Sequence, residues 1–149
     1  MEEIKIRPMT NRDIPEVVSI ENLSYSAPWT RREFYAELNF NRFARYFVVE
    51  KNQKIIGYIG SWFFKDFVHI TNVTVHPDFR NKGIGRKLMN YIIDLAKGRK
   101  VKRVVLEVRV SNTIAQKLYK NLGFRVEKIK KEYYPDNKEN ALYMVKILL

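Results

Sequence analysis

The 149 residues are 46% hydrophobic and contain no cysteine, which suits one domain over residues 1–149 and removes disulfides, thiolate metal sites and a cysteine nucleophile. Only two histidines occur, His69 and His76, so no multi-histidine metal site is expected. The formal charge is +12, concentrated in Lys97 to Arg103 and in Lys128 to Lys131; these residues alternate with apolar positions and form no tail or aromatic-interleaved stripe, so they read as a solvated surface and direct nucleic-acid binding is not expected.

In chain order, Met-Glu-Glu-Ile-Lys lacks the layout of a signal peptide, and no apolar run approaches the ~20 residues that cross a bilayer. A cytoplasmic protein without membrane contact is expected, a monomer or weak dimer. Ile4 to Met9 alternates as an opening strand. Asp13 to about Asn22 has helical spacing through Ile14, Val17, Val18 and Ile20. The aromatic loop Tyr25-Ser26-Ala27-Pro28-Trp29 leads to Thr30-Arg31-Arg32-Glu33, whose capping-box spacing starts a second helix. Strands are expected over Arg45 to Glu50 and Ile55 to Phe64. In the next strand, Phe67 to Val75, the apolar residues Val68 and Ile70 share one parity, but Val73 and Val75 take the other. Either the strand is buried on both faces, or a one-residue β-bulge lies near Thr71 or Asn72.

Arg80-Asn81-Lys82-Gly83-Ile84-Gly85 then joins this strand to an amphipathic helix beginning near Arg86. A glycine-bearing turn in front of a helix N-terminus presents unpaired N–H groups and a positive dipole end, a nest for phosphate. The spacing fits neither a Walker A loop nor a Rossmann fingerprint. Strand Arg103 to Val110 follows, then a short helix Asn112 to Asn121 capped by Ser111 or Asn112. Strand-like Arg125 to Ile129, a loop around Tyr133 to Asn137 and a last strand from Ala141 to Leu148 close the chain. Glu107 interrupts an apolar strand, where desolvation would raise its pKa and make it a general base near neutrality; an outward position paired with Arg109 is the plain alternative. Tyr119 is either a core aromatic or a phenol placed to donate a proton.

Taken together, the bulged strand, Arg80-x-x-Gly83-x-Gly85, Leu106-Glu107-Val108-Arg109-Val110-Ser111-Asn112 and Leu118-Tyr119-Lys120-Asn121-Leu122-Gly123-Phe124 resemble the GNAT acetyltransferase superfamily over essentially the whole chain. Within it, Ala27-Pro28-Trp29, the Leu-Glu-Val-Arg-x-Ser-Asn run and Tyr133-Tyr134-Pro135 resemble the RimI branch of ribosomal-protein-alanine N-acetyltransferases. The resemblance implies an α/β (α+β) fold, a mixed V-shaped sheet of about seven strands flanked by about four helices and splayed between strands four and five. It implies acetyl-CoA as cosubstrate and a protein N-terminus, that of a ribosomal protein, as acceptor. Val73, Thr74 and Val75 would pair with the pantetheine arm, Arg80, Asn81, Lys82, Gly83, Ile84, Gly85 and Arg86 would hold the pyrophosphate, and Asn112 would bond the pantetheine. Glu107 would take a proton from the α-ammonium and Tyr119 would protonate the leaving thiolate, while Trp29, Tyr133 and Tyr134 would wall the peptide slot, with Glu21 also facing the amine. Other acceptors, lysine side chains, polyamines or small-molecule amines, stay open, as does a non-catalytic basic RNA-binding module.

Overall fold

A computed structural model describes residues 3–149. Seven strands, β1 (Ile4–Pro8), β2 (Ala44–Lys51), β3 (Lys54–Phe63), β4 (Phe67–Val75), β5 (Arg103–Arg109), β6 (Arg125–Lys130) and β7 (Ala141–Ile147), are combined with four helices. These are α1 (Ile14–Ser24), α2 (Arg31–Phe40), α3 (Ile84–Gly98) and α4 (Thr113–Asn121), with short 3₁₀ turns at Asn11–Asp13 and Pro77–Phe79. The strands form one sheet in the order β1-β2-β3-β4-β5-β7-β6. Neighbours run antiparallel except β4 and β5, which are parallel. The mixed seven-stranded sheet with four helices is the architecture that the motifs implied.

Local sequence explains the boundaries. Thr30 caps α2, its hydroxyl accepting from the Glu33 amide at 3.2 Å while the Glu33 carboxylate accepts from the Thr30 amide at 3.1 Å. Asn112 caps α4 by accepting from the Ala115 amide at 3.1 Å, which decides between the two cap candidates. On α3, Ile84, Leu88, Ile92 and Ala96 recur every fourth residue, and with Met89 and Ile93 they are buried against one face of the sheet. Each of the five larger side chains contributes about 1.5–3 kcal/mol of transfer free energy. Helices α1 and α2 cover the other face through Ile14, Val17, Ile20 and Phe34. Strand β2 feeds both layers by alternation, Tyr46 and Val48 to one and Phe47 and Val49 to the other.

Two irregularities in β4 position everything that follows. Its partner β3 pairs Gly60 with Asn72 but Ser61 with Ile70, so Thr71 is the extra residue of a β-bulge. The parity change between Ile70 and Val73 is that bulge. Glycine at position 60 makes room for it: a Cβ there would lie 2.3 Å from Asn72 Oδ1 and 2.4 Å from the Tyr46 ring. On the other side, β4 pairs with β5 only at Phe67–Arg103, Val68–Val104 and His69–Val105. Beyond the third pair the strands part, and the sheet forks as expected between its fourth and fifth strands. No helix among the described residues is long and apolar enough to cross a membrane.

Candidate active site

The fork opens into a cleft of about 800 Å³. Its walls come from the end of α1 and the loop after it (Glu21, Tyr25, Trp29), the bulged stretch of β4, the outer half of β5 (Glu107), the start and middle of α4 (Asn112, Tyr119) and the loop before β7 (Tyr134). Residues distant in sequence therefore share one hollow because β4 and β5 diverge.

Glu107 is the most constrained of them. Its side chain is 8% exposed, one carboxylate oxygen accepts from His69 Nε2 at 2.7 Å, and the other accepts from Lys130 Nζ at 2.6 Å. Burial alone would raise its pKa, but the bonds from His69 and Lys130 outweigh burial and hold the carboxyl below its ordinary value. This corrects the expected upward shift: the desolvated carboxylate is paired, and its partners are not Arg109. Arg109 instead grips Asp136 through both carboxylate oxygens at 3.0 Å and Glu139 at 3.2 Å, with its guanidinium 3.9 Å from the centre of the Tyr134 ring.

The carboxyl that is pushed up is Glu21. It is 3% exposed, and burial is the main cause, opposed by hydrogen bonds from the Trp29 amide at 3.0 Å and from the Tyr58 hydroxyl. Tyr119 is 7% exposed; burial pushes its phenol far up, so it keeps its proton through neutral pH. Among the described residues nothing hydrogen-bonds that hydroxyl, which leaves its donor available to a bound molecule. Tyr134 is likewise pushed up, to about 12, by burial.

Along the inner edge of β4, the Val73 carbonyl accepts from the Tyr25 hydroxyl at 3.4 Å and the Val75 carbonyl accepts from Arg80 Nε at 3.1 Å. The backbone of these two residues thus faces the fork rather than β3. Thr74 between them turns toward β3 by the alternation of the ladder, and its hydroxyl lies 2.8 Å from that of Tyr25. Arg80 is a brace, not a free cation in the loop, because it also donates to Ser24 Oγ at 3.1 Å.

At the start of α3, Gly83 is the N-cap with φ of 79°, and Asn81 has φ of 62°. The first backbone bond of the helix, Lys87 amide to Gly83 carbonyl at 3.1 Å, leaves the amides of Ile84, Gly85 and Arg86 ahead of it as donors at the positive dipole end. The two glycines are not equivalent. Gly83 is required by its backbone conformation, whereas a Cβ on Gly85 would meet Leu118 Cδ2 at 3.6 Å and Val75 Cγ2 at 3.9 Å, ordinary contacts. Lys82 packs its ammonium over the Phe79 ring at 5.4 Å.

Trp29, Glu21, Val73, Glu107, Asn112, Tyr119 and Tyr134 thus share the cleft, and the Asn81–Arg86 turn adjoins it through the contact of Gly85 with Val75 and Leu118. Trp29 also packs 5.2 Å from Phe34 and 6.4 Å from Tyr46, so it anchors its loop and lines the hollow at once. Tyr133 lies outside, 43% exposed, against Lys130 and Tyr134. Sequence reasoning gave no role to Tyr25, His69 or Lys130. The signal for His69 was its parity: it sits one residue off the apolar face of Val68 and Ile70, level with Val105 on β5. Among the described residues no cluster of three or more acidic or histidine side chains is arranged to hold a metal.

Comparison with known proteins agrees with this geometry. The acetyltransferase (GNAT) family matches residues 14–124. A Bacillus subtilis protein provisionally named ribosomal protein bS18-alanine N-acetyltransferase is 42% identical over 139 residues, 93% of this chain and 92% of that protein. The Escherichia coli (strain K12) ribosomal protein bS18-alanine N-acetyltransferase is 33% identical over 143 residues, 93% of this chain and 94% of that protein. The crystal structure of the Escherichia coli ribosomal-protein-S18-alanine N-acetyltransferase superposes with a TM-score of 0.90 at 29% identity, covering 97% of this chain and 94% of that one. The forked sheet, the glycine-capped helix and this similarity along nearly all of the sequence have one explanation: the chain belongs to the GNAT family of acetyl-CoA-dependent N-acetyltransferases.

Proposed function

We propose that this protein acetylates the N-terminal α-amine of another protein, the alanine N-terminus of a ribosomal protein, acting in the cytoplasm with residues 1–149 as one catalytic unit. The observation that carries the reading is similarity along 93% of the chain to proteins named for that acceptor. The cleft supports it chemically. A negative carboxylate, Glu107, and a second buried one, Glu21, border the same hollow, which suits an acceptor that arrives as an ammonium of pKa about 7.7–8.0.

Acetyl-CoA supplies the acetyl thioester as acyl donor. The residues present fit it: the inner edge of β4 at Val73 and Val75 offers strand-like hydrogen bonds, the α3 start at Asn81–Arg86 offers phosphate-binding amides, and Asn112 keeps an amide N–H₂ for the arm between them. Glu107, held as an anion by His69 and Lys130, draws and orients the ammonium and accepts its proton directly or through water. Tyr119 carries the proton that a leaving thiolate takes. A backbone N–H of the bulged strand stabilises the developing oxyanion, a contribution of about 2.7–4 kcal/mol for one donor. Transfer is direct, without an acyl-enzyme. Trp29 and Tyr134 limit the first side chain of the peptide, with Tyr133 at the rim.

A panel of peptides scored by mass spectrometry tests the acceptor. Acetylation confined to the α-amine of peptides beginning with alanine or serine is expected. Nε-acetyl-lysine, or an acetylated polyamine, as the main product overturns the reading.

A further inference from the structure

The positive charge is not spread evenly. At the end of the sheet away from the cleft, where β4 and β5 begin, the fold gathers three phenylalanines and several cations from three separate segments. Phe43 and Phe64 have ring centres 4.9 Å apart, and Phe64 and Phe67 4.8 Å apart, giving a continuous aromatic row. The Arg42 guanidinium lies over the Phe43 ring at 4.9 Å and that of Arg103 over Phe67 at 5.3 Å. Arg99 lies over the neighbouring Phe63 at 5.3 Å. The Lys102 amide donates to the Asp66 carbonyl at 2.8 Å, which ties the α3–β5 loop, with its Lys100 and Lys102, to the β3–β4 turn that carries Lys65.

Three properties single out this patch. None of these arginines and lysines makes an ion pair among the described residues, although Asp66 sits in the same turn. Arg42, Arg99, Lys65, Lys100 and Lys102 are exposed, and Phe43 is 37% exposed with Phe64 and Phe67 half-buried beside it. Three guanidiniums, of Arg42, Arg99 and Arg103, lie over aromatic rings without a carboxylate partner among the described residues, so their N–H groups stay available. Phe40, two residues before Arg42, projects at 79% exposure, but a single projecting ring does not make a membrane anchor, and an acidic peptide needs no aromatic row. A planar cation stacked on a ring, repeated beside unpaired lysines, matches bases stacking with phosphates alongside.

We propose that this pole binds single-stranded nucleic acid, with Arg42 and Arg103 contacting phosphates and stacking on bases over the Phe43–Phe64–Phe67 row. Ile70, the first β4 residue to line the cleft, lies three residues beyond Phe67, about 10 Å along the strand, so the pole and the cleft are separate surfaces and a bound strand and a bound peptide do not compete. The inference does not depend on which amine is acetylated.

The test is fluorescence anisotropy of the full chain with a labelled oligouridylate of roughly 20 nucleotides, longer than a single site needs. The double variant Arg42→Ala/Arg103→Ala is compared with Arg12→Ala/Lys54→Ala, which removes the same charge elsewhere. The pole variant is expected to weaken binding about tenfold or more and to flatten the plot of log affinity against log salt by about 1.4, two contacts at about 0.7 each. Phe43→Leu is expected to cost about fivefold or more through lost stacking. Acetyl transfer to a short peptide should stay at the wild-type rate in all variants, which also reports that they fold. Equal losses in the pole variant and the charge-matched control overturn the proposal. So does unchanged affinity in Phe43→Leu, displacement of the strand by acetyl-CoA, or equal binding to vesicles of anionic phospholipid.

Discussion

The two ends of the sheet handle charge in opposite ways. At the cleft, cations are consumed: Lys130 and His69 face Glu107, and Arg109 is clasped by Asp136 and Glu139. The clasp also fixes the loop before β7, since Asp136 accepts from Ser26 Oγ at 3.2 Å and the Ser111 amide donates to Glu139 at 2.7 Å. At the far pole, arginines stack on phenylalanines without a carboxylate partner among the described residues. Paired charges at the cleft hold side chains in place for chemistry. Unpaired charges at the pole carry the repulsion behind the +12 total and are held for a polyanion.

The sharpest way to break the contrast is to unpair the cleft. Glu107→Gln is expected to lower kcat by about 10²–10⁴-fold, the usual worth of a positioned acid or base, without weakening acetyl-CoA. Because Glu107 is held below its ordinary pKa, it stays an anion into acid solution, and the acid limb of the rate should survive in this variant. Glu21→Gln, which removes the carboxyl that burial pushes up, is the change expected to move that limb. Steady-state rates across pH read both, and loss of the limb in Glu107→Gln alone would reverse the assignment. Stability gives an independent check. A depressed carboxyl contributes stability that is fully present above the ordinary carboxylate range and is lost as pH falls through its folded value. The gap between wild type and Glu107→Gln in urea unfolding should therefore be constant above about pH 5 and close in more acid solution.

A smaller effect is expected from Arg109→Ala, which frees the Asp136 clasp. Peptide KM should rise up to about fivefold with kcat nearly held, since these are partly exposed pairs. An equal loss in kcat would place Arg109 closer to the chemistry than to loop positioning. Smallest of all is the stability effect at the pole: Arg42→Glu should shift unfolding by no more than about 1 kcal/mol, because the group makes no ion pair among the described residues and loses only an exposed contact with the Phe43 ring. A large destabilisation there would mean that stacking on Phe43 is structural.

Much of this was legible in residue order. The parity slip between Ile70 and Val73 marked the bulge, and Thr30 with Glu33 marked the start of α2, because both are local effects of neighbouring residues. The glycine turn and the motifs around Glu107 and Tyr119 located the cleft. The state of Glu107 was not legible. Its partners lie 38 and 23 residues away, and burial without those partners gives the opposite pKa direction. The different demands on Gly83 and Gly85 needed a dihedral angle that composition does not carry. The aromatic row was hidden for a similar reason: Phe43, Phe64 and Phe67 join Arg42 and Arg103 only after four strands are aligned.

The fork between β4 and β5 has a further consequence, for aggregation rather than for catalysis. An open strand edge normally invites another chain and must be guarded by charge, proline or a short length. Here three closed pairs hold the base of the fork, while α1, α4 and the loops at Trp29 and Tyr134 wall its mouth. The protein thus keeps an unpaired strand edge in mid-sheet, open to a slender ligand and walled off from the pairing with another chain that an outer edge invites.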